Sequence, residues 1–118
     1  MERLKKRREF LRAARGVKWV TPGLILQCWH RGDDNCSRIG FTVTKRVGNA
    51  VVRNRVKRRL REVARHDKAH GRTGFDYVVI GRKSTIPRAF NKLEQDLSSA
   101  FRGIHGKVMR FESNEKKD

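Results

Sequence analysis

Residues 45–65 read Lys-Arg-Val-Gly-Asn-Ala-Val-Val-Arg-Asn-Arg-Val-Lys-Arg-Arg-Leu-Arg-Glu-Val-Ala-Arg, in which nine of the 21 residues are Lys or Arg and the one acid is Glu62. Val52, Val56, Leu60 and Val63 recur at helical spacing. The stretch is therefore an amphipathic helix that docks on a core by one narrow stripe and presents cations elsewhere. Gly48-Asn49 opens it, with Asn49 as N-cap, and it runs to about His66 or Ala69. Arg53, Lys57, Arg61 and Arg65 form a line four residues apart, with Asn54 and Arg58 beside it. Like charges at that spacing each cost a few tenths of a kcal/mol. The chain holds too little acid to offset them, whereas a phosphate ribbon would. The planar fork of Arg suits phosphate oxygens, and Asn54 adds a donor and acceptor for a sugar hydroxyl or base edge.

Composition agrees with that reading. Thirty Lys and Arg against 12 Asp and Glu leave a formal charge of +18 on 118 residues, and the sequence pI is near 11.4. Such a chain is one domain with a modest core and belongs among nucleic-acid binders. It has no run of 18 apolar residues and no apolar stretch of a signal peptide in its first 15, so the reading is cytoplasmic, without a membrane. Cys28 and Cys36 flank a short turn and read as reduced thiols in that compartment. Neither they nor His66 and His70 lie in a frame of zinc-ligand spacing.

The remaining elements follow from periodicity. Residues 3–15 place Leu4, Phe10, Leu11 and Ala14 among seven basic residues before Gly16, a short basic helix frayed at its start. Residues 17–21 and 24–30 are strands separated by Pro22-Gly23, and Arg38–Thr44 alternates, putting Ile39, Phe41 and Val43 on one face. One face of that sheet meets the core and the other is free to bind. Phe75–Gly81 is nearly all apolar, as a central strand covered on both faces must be. A last helix begins near Pro87, carries Phe90, Leu93, Leu97, Phe101 and Ile104 on one stripe, and frays at Gly103. The expected fold is α+β, a single-domain sandwich of helices on a mixed four-stranded sheet in the order α-β-β-β-α-β-α. The domain spans 1–104 and a mobile tail 105–118.

The run Gly40-Phe41-Thr42-Val43-Thr44-Lys45-Arg46-Val47-Gly48-Asn49-Ala50-Val51-Val52-Arg53-Asn54-Arg55-Val56-Lys57-Arg58 resembles the signature of the bacterial ribonuclease P protein component. The likeness extends to Arg-Leu-Lys-Lys at 3–6, to Phe10 and Gly16, and to Asp76–Lys83, covering residues 3 to 104. It implies a protein subunit that joins a catalytic RNA, binds precursor tRNA and assists endonucleolytic removal of its 5′ leader, with Mg2+ held mainly by the RNA and no obligate protein partner. It also implies a left-handed crossover around the basic helix, contrary to the usual hand. By the same resemblance Lys45, Arg46, Arg53, Asn54, Arg55, Lys57, Arg58 and Arg61 face the catalytic RNA. Phe10, Gln27, Arg82 and Lys83 line the leader cleft, and no residue of the chain is catalytic. Two positions depart from the family pattern: Ala14 and Gln27 stand where relatives often carry aromatics.

A self-sufficient nuclease needs clustered carboxylates or a His with a partner acid. Here Asp33-Asp34 falls in a hairpin loop, Asp67 ends a helix and Asp76 opens a strand. A plain RNA-binding module would explain the charge but not the long signature.

Overall fold

Phe75–Gly81 forms the central strand of a five-stranded mixed sheet. The computed structural model describes residues 1–66 and 71–115. In chain order the elements are β1 (Glu2–Arg3), α1 (Arg7–Ala14), β2 (Val17–Val20), β3 (Leu24–His30), β4 (Arg38–Val43), α2 (Ala50–His66), β5 (Phe75–Gly81) and α3 (Phe90–Glu115). The strands lie side by side as β1-β4-β5-β3-β2. β5 runs parallel to β4, reached through α2, and antiparallel to β3, with Gly40 opposite Val78 and Gln27 on Val78's other side.

The two-residue period of the strands sorts their side chains into two layers. Leu24, Leu26, Ile39, Val43, Tyr77 and Val79 point to the rear face, where the stripes of α2 and α3 close the main core. Val56, Leu60 and Val63 of α2 are buried there, as are Leu93, Leu97, Phe101 and Ile104 of α3. On the front face α1 lies across the sheet, and Leu4, Ala13 and Val78 form a smaller core joined by Phe10, Trp29 and Ile80. An added Cβ on Gly40 would lie 2.5 Å from Cζ of Phe10, so the missing side chain is what seats that ring on the sheet.

Three sequence expectations need correction. The first helix starts at Arg7, not residue 3, because Glu2 and Arg3 pair in parallel with Arg38 and Ile39 as a fifth strand. Glu9 then accepts hydrogen bonds from the backbone N–H groups of Lys6 (2.9 Å) and Lys5 (3.3 Å), which fixes the helix start. The last helix begins at Phe90, after a 3-10 turn at Lys83–Thr85 in which Thr85 donates to the carbonyl of Gly23 at 2.6 Å. It does not end at Gly103. That glycine is a point of close approach, with the indole of Trp19 lying where a side chain would stand.

The helix therefore continues through the start of the expected mobile tail. His105 is buried among Phe75, Tyr77 and Phe101, its Nε2 2.9 Å from the Tyr77 hydroxyl, and Val108 is buried one turn on. The expected run of α2 toward Ala69, with Asp67 and His70, and the last residues of the tail fall outside the described residues. Cys28 is buried in the rear core, which pushes its thiol up to about 12, and Cys36 is an exposed free thiol.

The glycines separate close approach from idle flexibility. A Cβ at Gly16 would land on the Cys28 carbonyl and one at Gly103 would lie 2.5 Å from Cζ2 of Trp19, whereas one at Gly106 meets nothing within 4 Å. Gly16→Ala and Gly103→Ala should each lower stability by about 1–3 kcal/mol through overpacking, and Gly106→Ala should raise it by about 0.5–1 kcal/mol through helix propensity. Urea denaturation of the three variants checks the order.

Candidate nucleic-acid interface

α2 turns three kinds of residue in three directions. Its start is fixed by Asn49, whose Oδ1 accepts the N–H of Val52 at 3.0 Å, as expected of an N-cap. Val56, Leu60 and Val63 face the core, and Val52 is half-buried beside them. Asn54, Arg55, Arg58, Arg61 and Arg65 are exposed, and Lys45 and Arg46 stand exposed on the 3-10 turn just before the helix. Glu62 is the one acid of α2, and it pairs with Arg65 at 2.8 Å and with His66 at 3.2 Å.

The outward ridge is thus Asn54, Arg58, Arg61 and Arg65, rotated from the line that sequence spacing alone suggests. Arg53 and Lys57 lie on its flank and are half-buried. Arg53 donates from Nη1 to the carbonyl of Gly48 at 2.9 Å, bracing the helix entry. Arg59, on the opposite flank, donates to the carbonyls of Ile86 and Arg88 and so ties α2 to the connection before α3. Only contacts between elements reveal that Arg59 is a brace; its place in a basic run does not.

The front face holds the other candidate surface. Phe10 is half-buried on α1, and beside it the sheet offers Gln27 and Ile25 of β3, Ile80 of β5 and Thr42 of β4, all half-buried, with exposed Val20 of β2 next to Ile25. Ala14 is exposed on the same helix. Arg82 and Lys83 follow directly on β5. Lys83 is exposed, while Arg82 is half-buried and donates from Nη1 to the carbonyl of Thr21 at 2.6 Å, bracing the turn between β2 and β3. The structure thus puts Phe10 and Gln27 on one sheet face and gives Arg82 a bracing contact that its sequence position does not disclose. The floor residues Val20, Ile25, Thr42 and Ile80 were missed, although the alternation of their strands carried the signal.

At the opposite end of that face a carboxylate organises the surface. Asp76 is fully buried and receives Arg12 at 3.1 Å, Arg38 through Nε at 2.7 Å and Nη2 at 2.8 Å, and Arg31 through a short contact. Arg31 also donates to Asp33, to the carbonyl of Phe75 at 3.1 Å, and to those of Asn35 and Cys36 at 3.0 and 2.9 Å. Arg38 pairs in addition with Glu9. Burial acts to raise the Asp76 pKa, but hydrogen bonds from Arg38, Arg31 and Arg12 outweigh it and hold the carboxyl below its ordinary 3.8. The sequence signal was a lone acid inside an apolar strand.

Comparison with known proteins finds relatives that match most of the chain. The Ribonuclease P family profile matches residues 1–105. The ribonuclease P protein component of Gluconacetobacter diazotrophicus is 53% identical over 108 residues, covering 88% of this chain and 93% of that protein. That of Paramagnetospirillum magneticum is 51% identical over 110 residues, covering 88% and 83%. The solved ribonuclease P protein of Thermotoga maritima superposes with a TM-score of 0.72 at 32% identity, covering 88% of this chain and 98% of that one.

The Asp76 cluster sets an acid limit. A carboxyl with a lowered folded-state pKa stabilises fully above its unfolded value and loses that contribution as pH falls through the folded one. Asp76→Asn, which leaves three guanidinium groups without their shared counter-charge, should cost about 3 kcal/mol or more at pH 7. The gap between parent and variant should begin to narrow as pH falls toward 3.8, where the unfolded chain takes up the proton, and go on narrowing as pH falls through the lower folded-state value. Urea unfolding of both proteins at a series of pH values measures it.

Proposed function

Because the chain belongs to the ribonuclease P protein family, we propose that two of its surfaces serve two RNAs. The outer face of α2 with Lys45 and Arg46 holds the ribonuclease P RNA, and the front face beside Phe10 holds the single-stranded 5′ leader of precursor tRNA. The chain is the protein subunit of this endoribonuclease and assists the RNA subunit in maturing tRNA 5′ ends. In this reading the catalytic chemistry stays with the RNA.

The observation that supports the division is the placement of charge about the sheet. α2 packs on the rear face and turns Asn54, Arg55, Arg58, Arg61 and Arg65 outward, while Phe10 and Gln27 belong to the front and exposed Lys83 follows the end of β5. One RNA therefore does not have to leave before the other binds. Arginine forks on a helix grip a phosphate ribbon whatever its sequence. A partly apolar sheet face with one aromatic suits unstacked bases instead.

In this reading magnesium is held mainly by the RNA subunit. Among the described residues no group of three His, Cys, Asp or Glu side chains is arranged to hold a metal ion, and Asp76, Glu9 and Asp33 are each tied to arginine. These carboxylates fit ion pairs rather than a metal shell. Among the described residues no helix is long and apolar enough to cross a membrane.

The decisive test combines the purified chain, the bacterial catalytic RNA and precursor tRNA in magnesium, each omitted in turn. Cleavage at low salt should be strongest with both subunits and absent with the protein alone. Tight binding of the protein with no effect on cleavage would mark it as a bystander module. Converting Arg58, Arg61 and Arg65 to Ala should leave stability within about 0.5 kcal/mol of the parent, as expected for exposed side chains. Assembly with the RNA subunit should weaken, and the salt slope of log K should flatten by about 0.9 for each duplex phosphate that the variant no longer neutralises.

The leader surface predicts discrimination rather than uniform weakening. Phe10→Ala should weaken holoenzyme binding to precursor tRNA by about 1–3 kcal/mol, the scale of one stacked base, and Lys83→Ala by less. Binding of mature tRNA, which has no leader, should not move. Equal weakening on both RNAs in a titration at fixed magnesium and salt would remove these residues from the leader path.

A further inference from the structure

α1 has two flanks, and only one of them faces the proposed leader cleft. Phe10 and Ala14 lie on that side, while Arg8 and Arg12 lie on the other, where a concavity of about 570 Å³ opens between α1, β1 and the ends of β3 and β4. Its volume falls within the range of pockets that enclose small ligands. Seven cationic side chains line it against three acidic ones.

The cations divide into two sets. Arg12, Arg31 and Arg38 are fastened to Asp76 and form a rigid wall. Arg3, Lys5, Lys6 and Arg8 are exposed, and no side chain among the described residues pairs with them. They converge from β1, the helix entry and α1 upon one hollow. That convergence is repulsive unless an anion enters it. The hollow also contains the half-exposed indole of Trp29, with the Arg12 guanidinium carbon 5.9 Å from its ring centroid. Free cations, a fixed arginine wall and an aromatic plane together match a phosphodiester with its base better than a lone phosphate.

We infer that this pocket is a second single-stranded RNA subsite, occupied by leader nucleotides farther from the cleavage point than those in the Phe10 cleft. The inference rests on the leader reading above. α1 is eight residues long and a helix is only about 10 Å across. A few nucleotides therefore carry a strand from one flank to the other. Long leaders fill both subsites, whereas short ones end in the first.

The test uses holoenzyme reconstituted with full-length protein and three ligands: precursor tRNA with a long leader, precursor with a leader of a few nucleotides, and mature tRNA. Four proteins are compared: parent, Phe10→Ala, the triple variant Arg3→Ala, Lys5→Ala, Arg8→Ala, and a charge control, Lys92→Ala with Arg102→Ala, whose two exposed cations sit on α3. The triple variant should bind the long-leader precursor roughly tenfold more weakly, the equivalent of about one charge-assisted hydrogen bond. Its affinity for the short-leader precursor and for mature tRNA should match the parent, and the control should show no leader-length dependence. Equal weakening on all three ligands would assign the pocket to phosphates of the RNA subunit and overturn the proposal. No weakening, or the same length dependence in the control, would also overturn it. If the triple variant behaves as expected while Phe10→Ala does not separate precursor from mature tRNA, the pocket stands and the cleft assignment falls. If only Phe10→Ala discriminates, the cleft stands alone and the pocket proposal is overturned.

Discussion

A buried carboxylate shared by three arginines fixes the front of this molecule. Removing Asp76 from water is costly, and guanidinium groups from α1, from the turn after β3 and from β4 together offset that cost. Each arginine thereby loses its freedom to lie elsewhere, so the orientation of α1 across the sheet is set. Glu9 reinforces it from the helix side, capping the entry of α1 while pairing with Arg38. Phe10 and Arg8 acquire distinct surroundings only because that helix cannot roll.

The same economy runs through the chain. In a protein of net charge +18 the described acids that make ion pairs do so within the fold: Glu9, Asp33, Glu62, Asp76 and Asp96. Asp96 accepts hydrogen bonds from Arg88 Nε at 2.6 Å and Nη2 at 3.0 Å and holds the entry of α3. Acids thus fasten selected arginines to the framework, and the remaining cations stay available to a polyanion. α2 completes the arrangement because three buried side chains, Val56, Leu60 and Val63, suffice to dock it.

Periodic features were legible in the sequence and contact-dependent ones were not. The stripe of α3, the core stripe of α2, the alternation of β4 and the apolar run of β5 are local patterns, and each appears where its period places it. The Asn49 cap is local too, since its acceptor and donor lie three residues apart. β1 escaped because its two residues pair with Arg38 and Ile39 through backbone alone, which leaves no side-chain pattern. Gly103 misled because the same residue serves a helix end or a close approach, and the indole that decides between them is on β2. On α2, Arg53, Arg59 and Arg58 are alike in sequence and differ only in which carbonyls lie within reach. The resemblance offered candidate positions, but local pattern did not separate braces from free cations among them.

That separation bears on how such a basic chain recognises anything in particular. Free cations attract any polyanion, and the resulting binding follows salt more than sequence. Discrimination needs groups that attract and cannot adjust. Here the fixed groups are the ring of Phe10 on Gly40, the half-buried floor of the sheet and the arginines locked by Asp76. Exposed side chains such as Arg58 and Arg61 lend attraction without shape. The surface best suited to distinguish one RNA strand from another is therefore the front face, where the backbone and its ion pairs leave little freedom.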